Sequence, residues 1–84
     1  MFKVKIHIML KDDVLDPQGK TVNNALEHLN YKGVSNTRIG KYIEFMLDTD
    51  TEKKAKQQAE EMCKRILANV VIEKYEFFIE RISE

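Results

Sequence analysis

Residues 2–10 read Phe2-Lys3-Val4-Lys5-Ile6-His7-Ile8-Met9-Leu10, and this stretch decides the fold. Phe2, Val4, Ile6, Ile8 and Leu10 fall on one face of an extended chain, Lys3, Lys5, His7 and Met9 on the other. A period of two, with β-branched residues on one side, describes a strand buried on one face only. The dry face of such a strand needs a cover, which helices on one side of a sheet supply. Lys3 and Lys5 also break any apolar run that would serve as a signal-peptide core or a membrane span.

Downstream, Lys11-Asp12-Asp13 ends the alternation and opens a loop. Asp16 before Pro17 has the chemistry of an N-cap with proline at the first helical position, where its missing N–H costs nothing. Val22, Ala25, Leu26 and Leu29 then recur at helical spacing, and Gly33 closes the exit turn after Asn30-Tyr31-Lys32. Residues 34–39 read as a short edge strand and Gly40-Lys41 as a turn. Residues 42–47 make a better strand, with Ile43, Phe45 and Leu47 on one face. Thr49 and Glu52 have the capping-box spacing. Ala55, Ala59, Met62, Ile66 and Leu67 trace one face of a second helix that ends near Asn69. Residues 71–82 alternate Tyr75, Phe77 and Ile79 against Lys74, Glu76 and Glu80, a last strand of roughly 40 Å at the usual rise. The order βαββαβ predicts one α+β domain over residues 1–84: a four-stranded antiparallel sheet with both helices on one face, the ferredoxin-like arrangement.

Composition bounds the function. A chain of 84 residues has material for one core. Fourteen basic residues balance fourteen acidic ones, so no general attraction to nucleic acid or to an anionic membrane is expected. Cys63 is the lone cysteine, which excludes an internal disulfide and a multi-thiolate metal site and fits a cytoplasmic setting. The helix-free face collects Met9, Tyr42, Met46, Phe78 and Ile82. An apolar group on an uncovered face, together with a last strand longer than the sheet needs, predicts a homodimer or higher oligomer.

No stretch carries a catalytic constellation. Gln18-Gly19-Lys20-Thr21 ends like a phosphate-binding loop, but Val14 stands where that loop needs its first glycine. Tyr42 is the single aromatic at the positions where an RNA-reading sheet of this fold carries several. An acylphosphatase needs an anion cradle after its first strand, and Asp12, Asp13 and Asp16 would repel the phosphate. A metallochaperone needs paired thiols. His7 and His28 have no partner at ligand spacing, and Cys63 borders the apolar stripe of the second helix as a packing residue. No catalytic, cofactor-binding or metal residue is therefore assigned, and the residues describe a binding or assembly module.

Three stretches carry a resemblance. Val14-Leu15-Asp16-Pro17-Gln18-Gly19-Lys20, Arg38-Ile39-Gly40-Lys41-Tyr42-Ile43-Glu44, and Met62-Cys63 through Val71-Ile72-Glu73-Lys74-Tyr75 resemble the PurS family. That family is the small subunit of phosphoribosylformylglycinamidine (FGAM) synthase in organisms with a split enzyme. Asn69-Val70 departs from the family's usual Asn-Pro, a change confined to the turn before the last strand. The resemblance implies a non-catalytic, dimerising subunit of an ATP-dependent amidotransferase in purine synthesis. A glutaminase subunit would release ammonia, and a large synthetase subunit, holding ATP and Mg²⁺, would insert it into formylglycinamide ribonucleotide. The small subunit would bring the two together and aid ammonia transfer. The partner-interface candidates within the family-like stretches are Asp16, Gln18, Lys20, Arg38, Lys41, Tyr42 and Glu44. Arg38 and Lys41 are expected to face solvent at the hairpin. An ACT-like amino-acid-binding regulatory domain is the alternative, although Gly19 sits too far inside the turn for its ligand loop.

Overall fold

The computed structural model describes residues 1–82. The alternating segment forms β1 (Phe2–Leu10), the middle strand of an antiparallel sheet between β2 (Gly40–Leu47) and β3 (Glu73–Arg81). Phe2 pairs with Leu47 and Arg81, and Met9 with Gly40 and Lys74. Phe2, Val4, Ile6 and Ile8 are the buried centre of the molecule, while the intervening Lys3, Lys5, His7 and Met9 line the opposite face.

Helix α2 (Glu52–Met62) covers the dry face. Ala55 and Ala59 are fully buried, and their small side chains let the helix backbone approach the sheet closely. Ile43, Phe45, Leu47, Leu67, Tyr75, Phe77 and Ile79 fill in around this core, half-buried. The cap of α2 is Thr51, whose hydroxyl accepts from Lys54 N, rather than the expected Thr49. The helix then widens into a π-helical turn (Cys63–Leu67), closed by a hydrogen bond from Ala68 N to Cys63 O. The extra residue in that turn shifts the apolar phase. Cys63 stays fully buried as expected, but Ile66, expected on the stripe, is 78% exposed.

The sheet has three strands where four were expected. Residues 34–39 form no strand, because their polar groups are bound to the first helix: Ile39 N donates to its cap, Asp16, and Thr37 Oγ1 to Asn23 Oδ1 in its middle. Asn36 adopts a positive φ of 57°, which an extended edge strand does not tolerate. The order β2-β1-β3 is nonetheless that of three adjacent strands of the ferredoxin-like sheet. Gly40-Lys41 is not a turn but the first pair of β2, opposite Met9 and Ile8. A side chain at Gly40 would collide with Met9 Sδ and Ile8 O, so this register requires glycine. The last strand is nine residues long, not twelve, and pairs with β1 over its whole length. Residues 69–72 form a turn in which Asn69 O accepts from Ile72 N and Glu73 N. The excess length expected of this strand is absent.

The first helix, α1 (Pro17–His28), departs most from expectation. It does not lie on the sheet. Val22 and Ala25 are exposed, Leu26 is half-buried and Leu29 is 67% exposed. The molecule measures 51 × 30 × 15 Å. A nine-residue strand accounts for about 30 Å of the long axis and a twelve-residue helix for about 18 Å more. The helix thus projects as an arm from the Leu10–Gly40 end of the sheet, and among the described residues the dry face is covered by α2 with the turn that continues it.

Candidate functional site

Two surfaces hold the residues singled out in the sequence. The first is the open sheet face. Tyr42 stands directly opposite His7 on β2, and Phe78, the partner of Lys5 on β3, lies on the diagonal; the His7 ring centroid is 4.9 Å from that of Tyr42 and 6.2 Å from that of Phe78, both contacts edge-on. Lys3 Nζ lies 3.1 Å from Glu44 Oε1, Lys5 Nζ lies 3.2 Å from Glu80 Oε2, and Tyr42 Oη donates to Glu44 Oε2 at 2.7 Å. That hydrogen bond holds the Tyr42 phenol above its ordinary pKa and, with Lys3, holds Glu44 below the usual carboxylate range. Tyr42, Met46 and Phe78 are half or more exposed, while Met9 and Ile82 are half-buried at the margins. The face is an aromatic and methionine patch ringed by neutralised charge.

The second surface is the base of the α1 arm. Asp16, only 6% exposed, caps the helix by accepting from Gly19 N at 2.9 Å and also accepts from Ile39 N at 2.8 Å. These two backbone donors, Ile39 first, hold its carboxyl below the usual range. Arg38 Nη2 donates to Lys11 O at 3.0 Å, Val14 O at 3.2 Å and Leu10 O at 3.4 Å. Its Nε stands 3.8 Å from Asp16 Oδ2. A side chain at Gly19 would strike Thr37 O and the Asp16 carboxylate. The seven interface candidates therefore divide. Asp16 and Arg38 are internal, tying the loop after β1 to the segment before β2. Gln18 and Lys20 are exposed on the first turn of α1, Lys41 is exposed at the start of β2, and Tyr42 and Glu44 belong to the open face. Arg38, expected to face solvent, is half-buried.

Sequence reasoning missed Glu73. It accepts from Asn69 N at 2.7 Å and lies 3.3 Å from Lys41 Nζ, and the Asn69 hydrogen bond is the main reason its carboxyl is held low. The signal was present in the alternation, which puts Glu73 on the dry face with Tyr75, Phe77 and Ile79. A carboxylate there needs partners. Asp16, Gln18, Lys41 and Glu73 meet around a cavity of about 320 Å³. Its charged groups already hold backbone or ion-pair partners. Among the described residues no three His, Cys, Asp or Glu side chains are grouped to hold a metal ion. Nor is any described helix long and apolar enough to cross a membrane. What the arrangement can do is present shaped, hydrogen-bonded surfaces to other macromolecules.

Comparison with known proteins agrees with this picture. The family model described as "PurS: Phosphoribosylformylglycinamidine (FGAM) synthase" matches residues 3–81. The PurS subunit of phosphoribosylformylglycinamidine synthase from Synechocystis is 47% identical over 78 residues, 93% of this chain and 78% of that one. The crystal structure of PurS from Methanocaldococcus jannaschii, 40% identical, superposes with a TM-score of 0.89 over 99% of this chain and all of that one. A chain in the structure of PurLQS from Thermotoga maritima, 29% identical, superposes with a TM-score of 0.86 over 93% and 95% of the two chains. A match over nearly the full length, in sequence and in fold, places this chain in the PurS family.

Proposed function

We propose that this chain is the small, non-catalytic subunit of FGAM synthase in purine biosynthesis. The likeness to a chain of PurLQS over nearly its whole length carries this reading, because it concerns an assembly and not an isolated domain. The enzyme is an ATP- and glutamine-dependent amidotransferase that converts formylglycinamide ribonucleotide to its amidine. In this reading a glutaminase subunit releases ammonia, a large synthetase subunit uses ATP and Mg²⁺, and this chain joins the two in the cytoplasm. The physical need is direct: ammonia released into neutral water is protonated and loses its nucleophilic lone pair. A subunit that holds source and acceptor together preserves it.

The residues available for that task are Gln18 and Lys20 on the arm, Lys41 at the sheet end and Tyr42 and Glu44 on the open face, all exposed. Self-association belongs to the same reading. The two large subunits, assayed with and without this chain, test it. Glutamine-dependent synthesis should need the chain, while synthesis from ammonium salts by the large subunit should not. Equal glutamine-dependent rates with and without the chain would overturn the proposal.

A further inference from the structure

Among the ion pairs of the described residues, two hold a nearly buried acid: Asp16, with 5% of its side chain exposed, and Glu73, with 11%. In the other pairs the acid is at least 40% exposed. Both buried acids line the same cavity of about 320 Å³, at the end of the sheet where α1 begins.

Asp16 is fully committed there, accepting from Gly19 N on Oδ1 and from Ile39 N on Oδ2. Glu73 is not. Its Oε1 accepts from Asn69 N at 2.7 Å, which fixes the carboxylate, while its Oε2 faces Lys41 Nζ at 3.3 Å. The Lys41 side chain is 63% exposed, and its flexible four-carbon stem lets the ammonium swing away. The walls beneath this pair are apolar: Ile8 and Leu10 from β1, Pro17 from α1, and Ile39 from the segment before β2. The cavity therefore joins a fixed, buried anion and a mobile cation to an apolar floor.

A guest that enters must displace Lys41 from Glu73, and this selects its charge. A simple carboxylic acid competes with Glu73 for Lys41, and an unpaired carboxylate so deeply buried is costly. A simple amine takes the place of Lys41 on Glu73 and gains no further pair. A zwitterion exchanges one pair for two, its ammonium meeting Glu73 Oε2 and its carboxylate meeting Lys41 Nζ beside the exposed Gln18. The apolar walls then select the remainder of the guest, since a polar side chain would lose its water against them. The volume lies at the lower end of the range for small-molecule sites, about 300–1,000 Å³. We propose that this cavity binds a free aliphatic α-amino acid, with its ammonium on Glu73, its carboxylate on Lys41 and its side chain against Ile8, Leu10 and Ile39. The site goes beyond the role of the chain in FGAM synthase and does not depend on it. Its guest touches β1, α1, β2 and β3 where the arm leaves the sheet, so occupancy stiffens the base of the arm.

Titration of the whole chain with L-leucine, followed by amide NMR, tests this. The amide shifts of Gln18, Gly40, Lys41 and Glu73 should saturate together, with the millimolar dissociation constant expected of so small a guest. Amide exchange at Gly19 should slow as they do. Glu73→Gln keeps an oxygen acceptor for Asn69 N, removes the charge and should weaken binding by about tenfold or more. Lys41→Met keeps the apolar stem and should weaken it likewise. Because Lys41 is exposed, this variant decides the matter if Glu73→Gln fails to fold. Isopentylamine lacks the carboxylate, 4-methylpentanoate lacks the ammonium and L-glutamine lacks the apolar side chain, so each should bind more weakly than leucine. An absence of saturable shifts as leucine nears its solubility limit would overturn the proposal. So would undiminished binding to Lys41→Met or to a folded Glu73→Gln, or any of the three analogues binding as tightly as leucine.

Discussion

Asp16 shows how one carboxylate links two distant pieces of chain. It caps α1 through Gly19 N and receives Ile39 N from the segment before β2, so its ionised form is required by both. Asp12, Glu44 and Glu73 are likewise held below their ordinary pKa, by Lys74, by Tyr42 with Lys3, and by Asn69 N respectively. A group with a depressed folded pKa contributes stability above its unfolded pKa, and that contribution disappears as pH falls through the folded value. Thermal melts should therefore be nearly flat between about pH 7 and pH 5 and should fall below about pH 4, where carboxylates titrate. Asp16→Asn should melt lower at neutral pH and lose less on acidification. A wild-type melting temperature that rises on acidification would contradict the assignment. Arg38 belongs to the same unit. Arg38→Ala leaves the carbonyls of Leu10, Lys11 and Val14 without this donor, so amide exchange at Gly19 and Ile39 should quicken while β1 amides keep their protection.

At the scale of elements, stability is concentrated in β1 and its cover. Ile6 is fully buried between strands and beneath α2, so Ile6→Ala should cost about 2–5 kcal/mol in urea unfolding, the usual range for core truncation. Thr51→Ala removes the cap of α2 and should cost about 1 kcal/mol. Leu29→Ala on the arm should cost little in a dilute monomer, since the side chain is largely in water, and more where two copies associate. Equal destabilisation at both concentrations would mean that α1 already packs within one chain. The contrast arises because an isolated twelve-residue helix is marginal in water without a surface to lie on.

For the whole molecule, the extended outline makes folding and association one problem. Under the proposed self-association, a chain that leaves a helix and half a sheet face uncovered would gain stability from a second copy, so its melting temperature should rise with protein concentration. A melting temperature unchanged over a hundredfold range of concentration would show a self-sufficient monomer. The charge balance adds to this: with zero net charge and the open-face lysines already paired to Glu44 and Glu80, salt should alter self-association only weakly. Strong dissociation in moderate salt would point to a charge-driven interface instead.

The sequence by itself determined what depends on local pattern. The alternation of Phe2 to Leu10 specified a half-buried strand, Asp16-Pro17 the start of α1, and Ala55, Ala59 and Cys63 the buried edge of α2. Each follows from periodicity or from one capping side chain, which a neighbour in the chain decides. The Gln18-Gly19-Lys20 and Gly40-Lys41-Tyr42 stretches also carried the family. Four matters waited for the tertiary structure. Residues 34–39 gave up a strand because Asp16 and Asn23, distant in sequence, took their hydrogen bonds. Ile66 left the apolar stripe because a π-helical turn added one residue. Arg38 went inward because three carbonyls of the loop after β1 converge on it. The amphipathic pattern of α1 stated that its stripe needs a cover but not where the cover lies, since periodicity records the need for burial and only the path of the chain decides which surface meets it.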